Sequence, residues 1–505
     1  MSRSPNKKNR GNLQKRKSKI NKRLSLNRGI ISNEAILKDV NGHYEISAKE
    51  NGISFGGIGA IHKMVKKLGL DKTLNESLNL LKIKRPYHES DHILSLAYNA
   101  MTGGRCLQGL ERLRSDEGFL NSIGAEKMPD PTTAGDFTRR FNEKDILTLM
   151  EAINACREKV WQSKGSNYLG DEAIIEVDGT IAGTTGECKG GMDMSYKGIW
   201  GYSPLLVTLA STREVLYMVN RPGNKTSHDG AATWIDRAIK LVKPHCKRVF
   251  LRGDTAFSLS ENFERWSVDA DFIFGVNNNS ALHKKVNQIK DEDWEPLERR
   301  WKDKAHTKSR KKPENVKDKI VKERGYLSLH LENETIADFD YRTKNCKNTY
   351  RVVVAKKSIS RSKGEDLLIP EVRYFFYITN RRDLTKQEVV RRANERCEQE
   401  NIIEQVKNGV NAMRMPVDNL LSNWAYMVIA TLAWNLKAWF AMMMTNKKET
   451  QRFLRMEFRQ FLQEVICFPC KVIQTARSTR FVIIAYRKYL GQFLDAWESI
   501  RYLKT

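Results

Sequence analysis

The sequence predicts a mixed α/β domain set between two helical regions. Three observations predict it. Apolar residues recur three and four apart from about residue 55 to 164, as in IHKMVKKLGL, HILSLAYNAM and LQGLERLRSDEGFL. From Ala173 the pattern changes to short strand-like runs, AIIEV, YSPLLVTLA and VLYMV, consistent with an antiparallel meander. Helix and strand then alternate through GAATWIDRAIKLVK, RVFLRGD and DFIFGV. With 505 residues the chain can hold several domains and a sizeable core.

Residues 1–45 form a basic arm. Eleven of the first thirty residues are Lys or Arg, with no acid among them. Such a segment buries too little apolar surface to fold alone, so it reads as disordered and phosphate-binding, with Lys15, Arg16, Lys17, Lys22 and Arg23 its densest cations. It lacks the apolar stretch of a signal peptide. The whole chain carries 87 basic against 60 acidic residues, a formal charge of +27, which favours an anionic polymer such as nucleic acid as partner.

Residues 46–165 read as a helical DNA-binding region. Gly103-Gly104 separates two helices, and Thr133 with Asp136 is spaced as a capping box at the head of AGDFTRRF. Short helices, one bearing Arg139-Arg140, suit a helix-turn-helix-like reader, although a plain helical bundle shows the same spacing. Residues 166–281 form the first part of the α/β core and 372–445 the second. Between them, 282–371 reads as a β-rich insertion: a basic approach, HTKSRKKPENVKDK, precedes the strand-like YLSLHL, DFDYRT, YRVVVA and VRYFFYIT. A long helix follows from about Lys386 to Asn408. The next apolar run, WAYMVIATLAWNLKAWFAMMM, is long enough to span a bilayer, but Asn435 and Lys437 inside it favour a helix buried in a soluble core. Residues 446–505 read as helical and basic. The eight cysteines are scattered, which fits reduced thiols, and Cys467-Phe-Pro-Cys470 lacks the second pair that a structural zinc site needs.

Two apolar runs end on a carboxylate. IIEV stops at Asp178 before Gly179, and VFLRG stops at Asp254. An Asp-Gly dipeptide is an ordinary turn signal. If the two strands are neighbours, however, both acids stand at one sheet end and repel unless protonated or bridged by a cation. Oxygen ligands select a hard cation such as Mg²⁺ or Mn²⁺. On the long helix, RCEQENIIEQVK places Arg396, Glu400 and Lys407 within a stripe about 40° wide at ~100° per residue. Ile402, Ile403 and Val406 fall on the other side. A solvated face with an i,i+4 ion pair has the same appearance.

These residues resemble the DDE transposases of bacterial insertion sequences, and specifically the insertion sequence 1380 family. The matches are Asp178 in EVDGT, Asp254 in LRGDTAF, and Glu400 in Arg-x3-Glu-x6-Lys. YHESDHILSLAYNAMTGG, LERLRSDEGFL and PDPTTAGDFTRRF upstream are similar as well, so the resemblance spans about residues 45–445. It departs at one position: the group's signature opens with a tyrosine where this chain has Ala393.

The resemblance implies a ribonuclease H-like mixed-sheet catalytic core interrupted by the β-rich insertion. It implies two Mg²⁺ ions, with Mn²⁺ able to substitute, held by Asp178, Asp254 and Glu400, and phosphates held by Arg396 and Lys407. It further implies a DNA transposase that binds its element's ends and target DNA, cuts and transfers strands, and works as a homodimer on DNA in the bacterial cytoplasm at the nucleoid. Two alternatives remain at this point. A binding-only descendant would occupy ends without cutting. EVDGT also resembles the Asp-x-Asp-Gly-Thr loop of haloacid-dehalogenase-type phosphatases, in which the nucleophile's place would fall on Glu176. Aromatics such as Trp294 and Trp301 in the insertion are candidates for stacking on an unpaired base.

Overall fold

The computed structural model describes residues 5–25, 51–84, 86–165, 168–298, 315–364, 366–475 and 478–503. Its centre is a nine-stranded mixed sheet. The strands are β1 (Glu172–Gly179), β2 (Leu205–Leu209), β3 (Glu214–Val219), β4 (Arg248–Gly253), β5 (Ala270–Val276), β6 (Glu295–Pro296), β7 (Leu327–Tyr341), β8 (Tyr350–Lys363) and β9 (Asp366–Thr379). Their order across the sheet is β6-β7-β8-β9-β5-β4-β1-β2-β3. The expected meander is present: β2 runs antiparallel to β1, and β3 antiparallel to β2. β4 then pairs parallel with β1, Glu172 opposite Arg248 through Glu176 opposite Arg252, and β5 pairs parallel with β4.

Alternation along β1 sorts its side chains onto two faces. Ala173, Ile175 and Val177 enter the main core with Ile235, Ala238 and Ile239 of the helix Ala231–Val242. Ile174 joins a smaller cluster on the opposite face, with Phe250, Val389, Val390 and Ala393. That face is covered by the helix Lys386–Asn394, whose start is fixed by a capping box between Thr385 and Glu388.

The other edge of the sheet is closed by the apolar helix Leu420–Met442. β3 pairs only with β2, which leaves its outer backbone groups needing partners. The helix supplies them from its side chains. The Asn435 amide donates to the Val215 carbonyl and accepts from the Val215 N–H, both at 3.0 Å. Trp424 donates to the Met218 carbonyl and Trp434 to that of Arg213, each at 2.6 Å. Lys437, the other residue that argued against a membrane span, donates to the Leu454 carbonyl at 2.8 Å and lies over the Trp434 ring; burial drives its pKa well below the usual lysine range. Among the described residues no helix is long and apolar enough to cross a membrane.

Glu214 organises this edge. Its carboxylate is buried and accepts from Arg157 Nε (2.9 Å), Trp161 Nε1 (2.9 Å) and Trp439 Nε1 (2.7 Å). It thereby joins the helix Glu143–Gln162, β3 and the apolar helix. One contiguous apolar cluster runs from Ile58 to Ile500, so the N-terminal helices, the sheet and the C-terminal helices share a core.

The structure departs from the sequence reading at five places. Residues 5–25 of the arm, expected to be disordered, form the helix Pro5–Ser25; Leu13 packs against the core, and Arg10 pairs with Asp495 at 2.8 Å. The first helical turn of PTTAGDFT is capped by Asp130, which accepts from the Thr133 N–H with Pro131 at the first helical position, rather than by Thr133. The boundary expected at residue 371 falls inside β9, because the long ribbon β7–β9 continues the central sheet through β9 and β5. The helix expected over 386–408 is broken into Lys386–Asn394 and Cys397–Glu404, followed by a wide turn over Gln405–Gly409 in which the Val410 N–H reaches the Gln405 carbonyl. The region 446–505, expected to be helical, contains a β-hairpin, Cys470–Thr475 with Ser478–Ile483, paired to Gly52–Ile53. Trp301 and most of the basic approach, residues 306–314, lie outside the described residues.

Replacing Glu214 by Ala leaves the buried Arg157 guanidinium and two indole N–H groups without their acceptor. We expect a loss of about 3–5 kcal/mol, read as a lower urea midpoint. The paired change Glu214→Leu with Arg157→Met should cost less than Glu214→Ala alone.

Candidate active site

The site is built by the register of β1 against β4. Glu176 faces Arg252 across the parallel pair, and two residues further along the same sheet face stand Asp178 and Asp254. The lower pair is neutralised. Arg252 donates to Glu176 Oε1 at 2.9 Å, with both side chains buried, and burial still raises the Glu176 pKa against the pull of Arg252. Its remaining reach goes to the Arg392 carbonyl at 2.8 Å, at the end of the covering helix. Buried and paired in this way, Glu176 is not available as a nucleophile, which removes the phosphatase reading.

The upper pair is only partly compensated. Asp178 lies in β1, which continues through Gly179, so Asp-Gly here is strand and not turn. The Gly179 N–H donates to Asp178 Oδ1 at 2.7 Å. A side chain at Gly179 would collide with Ser227 Oγ, which its Cβ would meet at 2.8 Å. The Asp178 pKa is pushed up to about 6 by burial first; Arg396 opposes the shift, while Asp254 and Glu400 add to it by like-charge repulsion. Asp254 caps the short helical turn Thr255–Phe257 by accepting from the Ala256 N–H at 2.8 Å.

The break in the helix delivers the remaining residues. Arg396 sits at the N-terminal boundary of Cys397–Glu404, with Nη2 3.5 Å from Asp178 Oδ2. Its Nε is buried and has no hydrogen-bond partner among the described residues. Glu400 lies one turn on and is exposed. Lys407, in the wide turn, donates to the Ile181 carbonyl at 2.7 Å, just past the end of β1. The structure therefore brings Asp178, Asp254, Glu400 and Arg396 into one electrostatic neighbourhood and ties Lys407 to the adjoining strand exit. Among the described residues, however, no three His, Cys, Asp or Glu side chains converge closely enough to enclose an ion.

Sequence reasoning missed the supporting role of three residues, Glu176 having been named only as the nucleophile's place in the phosphatase alternative. Glu176 and Arg252 are two of them, legible as opposite charges two residues before each strand-end acid. Gln399 is the third: fully buried, with its amide oxygen turned to the strand, it accepts from the N–H groups of Asp178 (2.9 Å) and Val177 (3.2 Å) and pins the helix to β1. Elsewhere, Arg139 is held by Asp418 (3.0 Å) and Asp136 (2.8 Å). Trp294 is half-buried, with the Lys356 ammonium over its ring. Ala393, where the transposase signature has tyrosine, packs in the small cluster beneath the helix. Lys15, Arg16, Lys17, Lys22 and Arg23 are all exposed on the N-terminal helix.

The family model described as transposase DDE domain group 1 matches residues 40–505. The chain belongs to that family. No curated protein matches it. Among solved structures, a piggyBac transposase synaptic complex with hairpin DNA aligns at 11% identity and a TM-score of 0.36, over 90% of this chain and 86% of the other. Transposases of this family use a divalent metal. Asp178, Asp254 and Glu400 offer oxygen donors of the kind a hard cation takes, with no soft ligand beside them, although among the described residues they do not close around one site.

The raised pKa of Asp178 has a consequence for stability. The folded state binds this proton more tightly than the unfolded chain, whose aspartate titrates near its ordinary value. Stability therefore falls as pH rises from about 4 to about 6, and the loss persists above that. With chelator present, Asp178→Asn should be more stable than the wild type at neutral pH, by on the order of 2–3 kcal/mol, read as a higher melting temperature. The gap should close towards pH 4; a gap independent of pH would refute the shift.

Proposed function

We propose that this transposase binds the ends of a mobile DNA element and catalyses strand cleavage and strand transfer with Mg²⁺ held by Asp178, Asp254 and Glu400. The observation that carries the reading is the parallel pairing of β1 with β4, which sets two strand-end acids side by side beneath the helix bearing Glu400. The strand order β3-β2-β1-β4-β5, with only β2 reversed against its β1 and β3 neighbours, also supports a ribonuclease H-like core, with the ribbon β7–β9 as its insertion.

When bound, two Mg²⁺ ions, or Mn²⁺ in their place, supply Lewis-acid activation of water or a DNA 3′-hydroxyl and stabilise the leaving oxygen. The chain's own groups position the DNA. Arg396, with a free buried Nε beside Asp178, is placed to grip a phosphate oxygen. Lys407 holds the strand exit at Ile181 and contributes a second cation at the same end of the sheet. Gln399 and the Arg252–Glu176 pair fix the helix and the strands, so that Asp178 and Asp254 keep their relation as DNA enters. On this reading the protein acts as a homodimer on DNA, since two ends must be brought together, and it is a bacterial, nucleoid-associated transposase of the insertion sequence 1380 kind.

Purified protein with DNA carrying the element's ends should cut at those ends in Mg²⁺. Asp178→Asn, Asp254→Asn and Glu400→Gln should each abolish cutting while changing DNA affinity by less than about threefold, under 1 kcal/mol. In chelated protein, adding Mg²⁺ should raise the melting temperature of the wild type but not that of Asp178→Asn. Tight end binding without cutting, in Mg²⁺ and in Mn²⁺, would favour the binding-only alternative.

A further inference from the structure

The two ends of the chain meet around a second feature, away from the three acids. The helix Pro5–Ser25 lies over the C-terminal hairpin and the helix Leu490–Arg501, and a cavity of about 1270 Å³ opens between them. Leu13 and Ile20, seven residues apart and therefore on one stripe of the N-terminal helix, are its half-buried positions; the cations around them are exposed. Arg10, paired with Asp495 at 2.8 Å, fixes the helix to the opposite wall. The N-terminal helix is thus a docked wall rather than a free tail.

The groove has a largely apolar floor, and its charged groups are six cations against one acid, Glu498. Lys15, Arg16 and Lys19 project from the N-terminal helix, with Arg480, Arg487 and Arg501 facing them from the hairpin and the C-terminal helix. Arg501 is paired with Glu498 at 3.2 Å, and Arg487 reaches only backbone carbonyls. Lys15, Arg16, Lys19 and Arg480 have no acidic partner among the described residues. Like charges held on two facing walls repel unless an anion lies between them, and a concave surface of this kind concentrates its field on the groove. A single small anion would neutralise only part of an array contributed by two separate elements. An extended polyanion satisfies both walls at once.

Building on the proposed function, we infer that this groove is a duplex-DNA backbone site, built jointly by the N-terminal helix and the C-terminal hairpin and separate from the elements that carry Asp178, Asp254 and Glu400. It gives the C-terminal hairpin a role in holding DNA that the arm alone does not supply.

The test is the salt dependence of binding to a short fluorescein-labelled duplex of the element's end, read by anisotropy with full-length protein. Each phosphate contact contributes about 0.9 to the slope of log K against log salt. The N-terminal variant K15Q/R16Q/K19Q should reduce the slope by about 2–3, and the hairpin variant R480Q/R487Q by about 1–2. Unchanged melting curves show that both variants fold. Wild-type binding with both slopes unchanged overturns this inference and leaves the proposed function standing. A reduced slope for the N-terminal variant alone overturns it as well, because the helix would then act as a detached tail. Absence of salt-dependent binding by the wild type overturns the proposed function itself.

Discussion

The buried pair between Glu176 and Arg252 is the constraint on which the centre of this molecule depends. Two parallel strands placed side by side bury the Glu176 carboxylate in a region of low dielectric one step below the strand-end acids, and Arg252 offsets its charge. Arg252 offers that charge to Glu176 and turns its other nitrogen to the Arg392 carbonyl, satisfying a group that a continuous helix would have used internally. The covering helix accordingly stops near this point. Its successor starts at Arg396, and the change of axis aims Arg396 and Glu400 at the strand ends. Without the break, Arg396 would have belonged to a continuous helical face instead of standing 3.5 Å from Asp178.

A second polar arrangement supports the first from the far edge of the sheet. β3 is an edge strand only in its strand pairing, because Asn435, Trp424 and Trp434 occupy its outer backbone groups. Glu214 then ties that edge to two helices through Arg157, Trp161 and Trp439. This accounts for the composition of Leu420–Met442. Its apolar residues fill the core, and its two asparagines, lysine and tryptophans each have a defined acceptor or donor. The helix looks like a membrane span by length and like a sheet cover by chemistry; the partners of Asn435 decide between the two.

Much of this was legible in the sequence where charge interrupts an apolar pattern. Asp178 and Asp254 stood out as carboxylates closing strand-like runs, and the meander followed from the spacing of those runs. The helix break was not legible, because VVRRANERCEQENIIEQ has good helical periodicity throughout, and the hydrogen bond that takes up the Arg392 carbonyl comes from Arg252 on a distant strand. The N-terminal helix was misread for a related reason. Composition alone opposes folding of so basic a segment, whereas Asp495 and the apolar surface near Gly491 lie more than four hundred residues away. Local pattern shows what a segment can form; these two cases were decided by partners remote in sequence.

The electrostatics of the site also order its parts by mobility. Asp178 and Asp254 are held by strand geometry and by backbone donors at Gly179 and Ala256, and Gln399 grips the backbone beside Asp178. Glu400 is exposed and has no comparable anchor among the described residues. On the proposed reading, two ligands are therefore fixed and the third is adjustable, with Arg396 standing in as counter-charge. A rigid triad would hold three repelling carboxylates together at all times and would raise the Asp178 pKa further. Leaving one acid exposed reduces that repulsion while the site holds only protein charges. The cost is an Asp178 whose pKa is pushed up to about 6, by burial first and by its acidic neighbours second, with Arg396 opposing the shift without cancelling it.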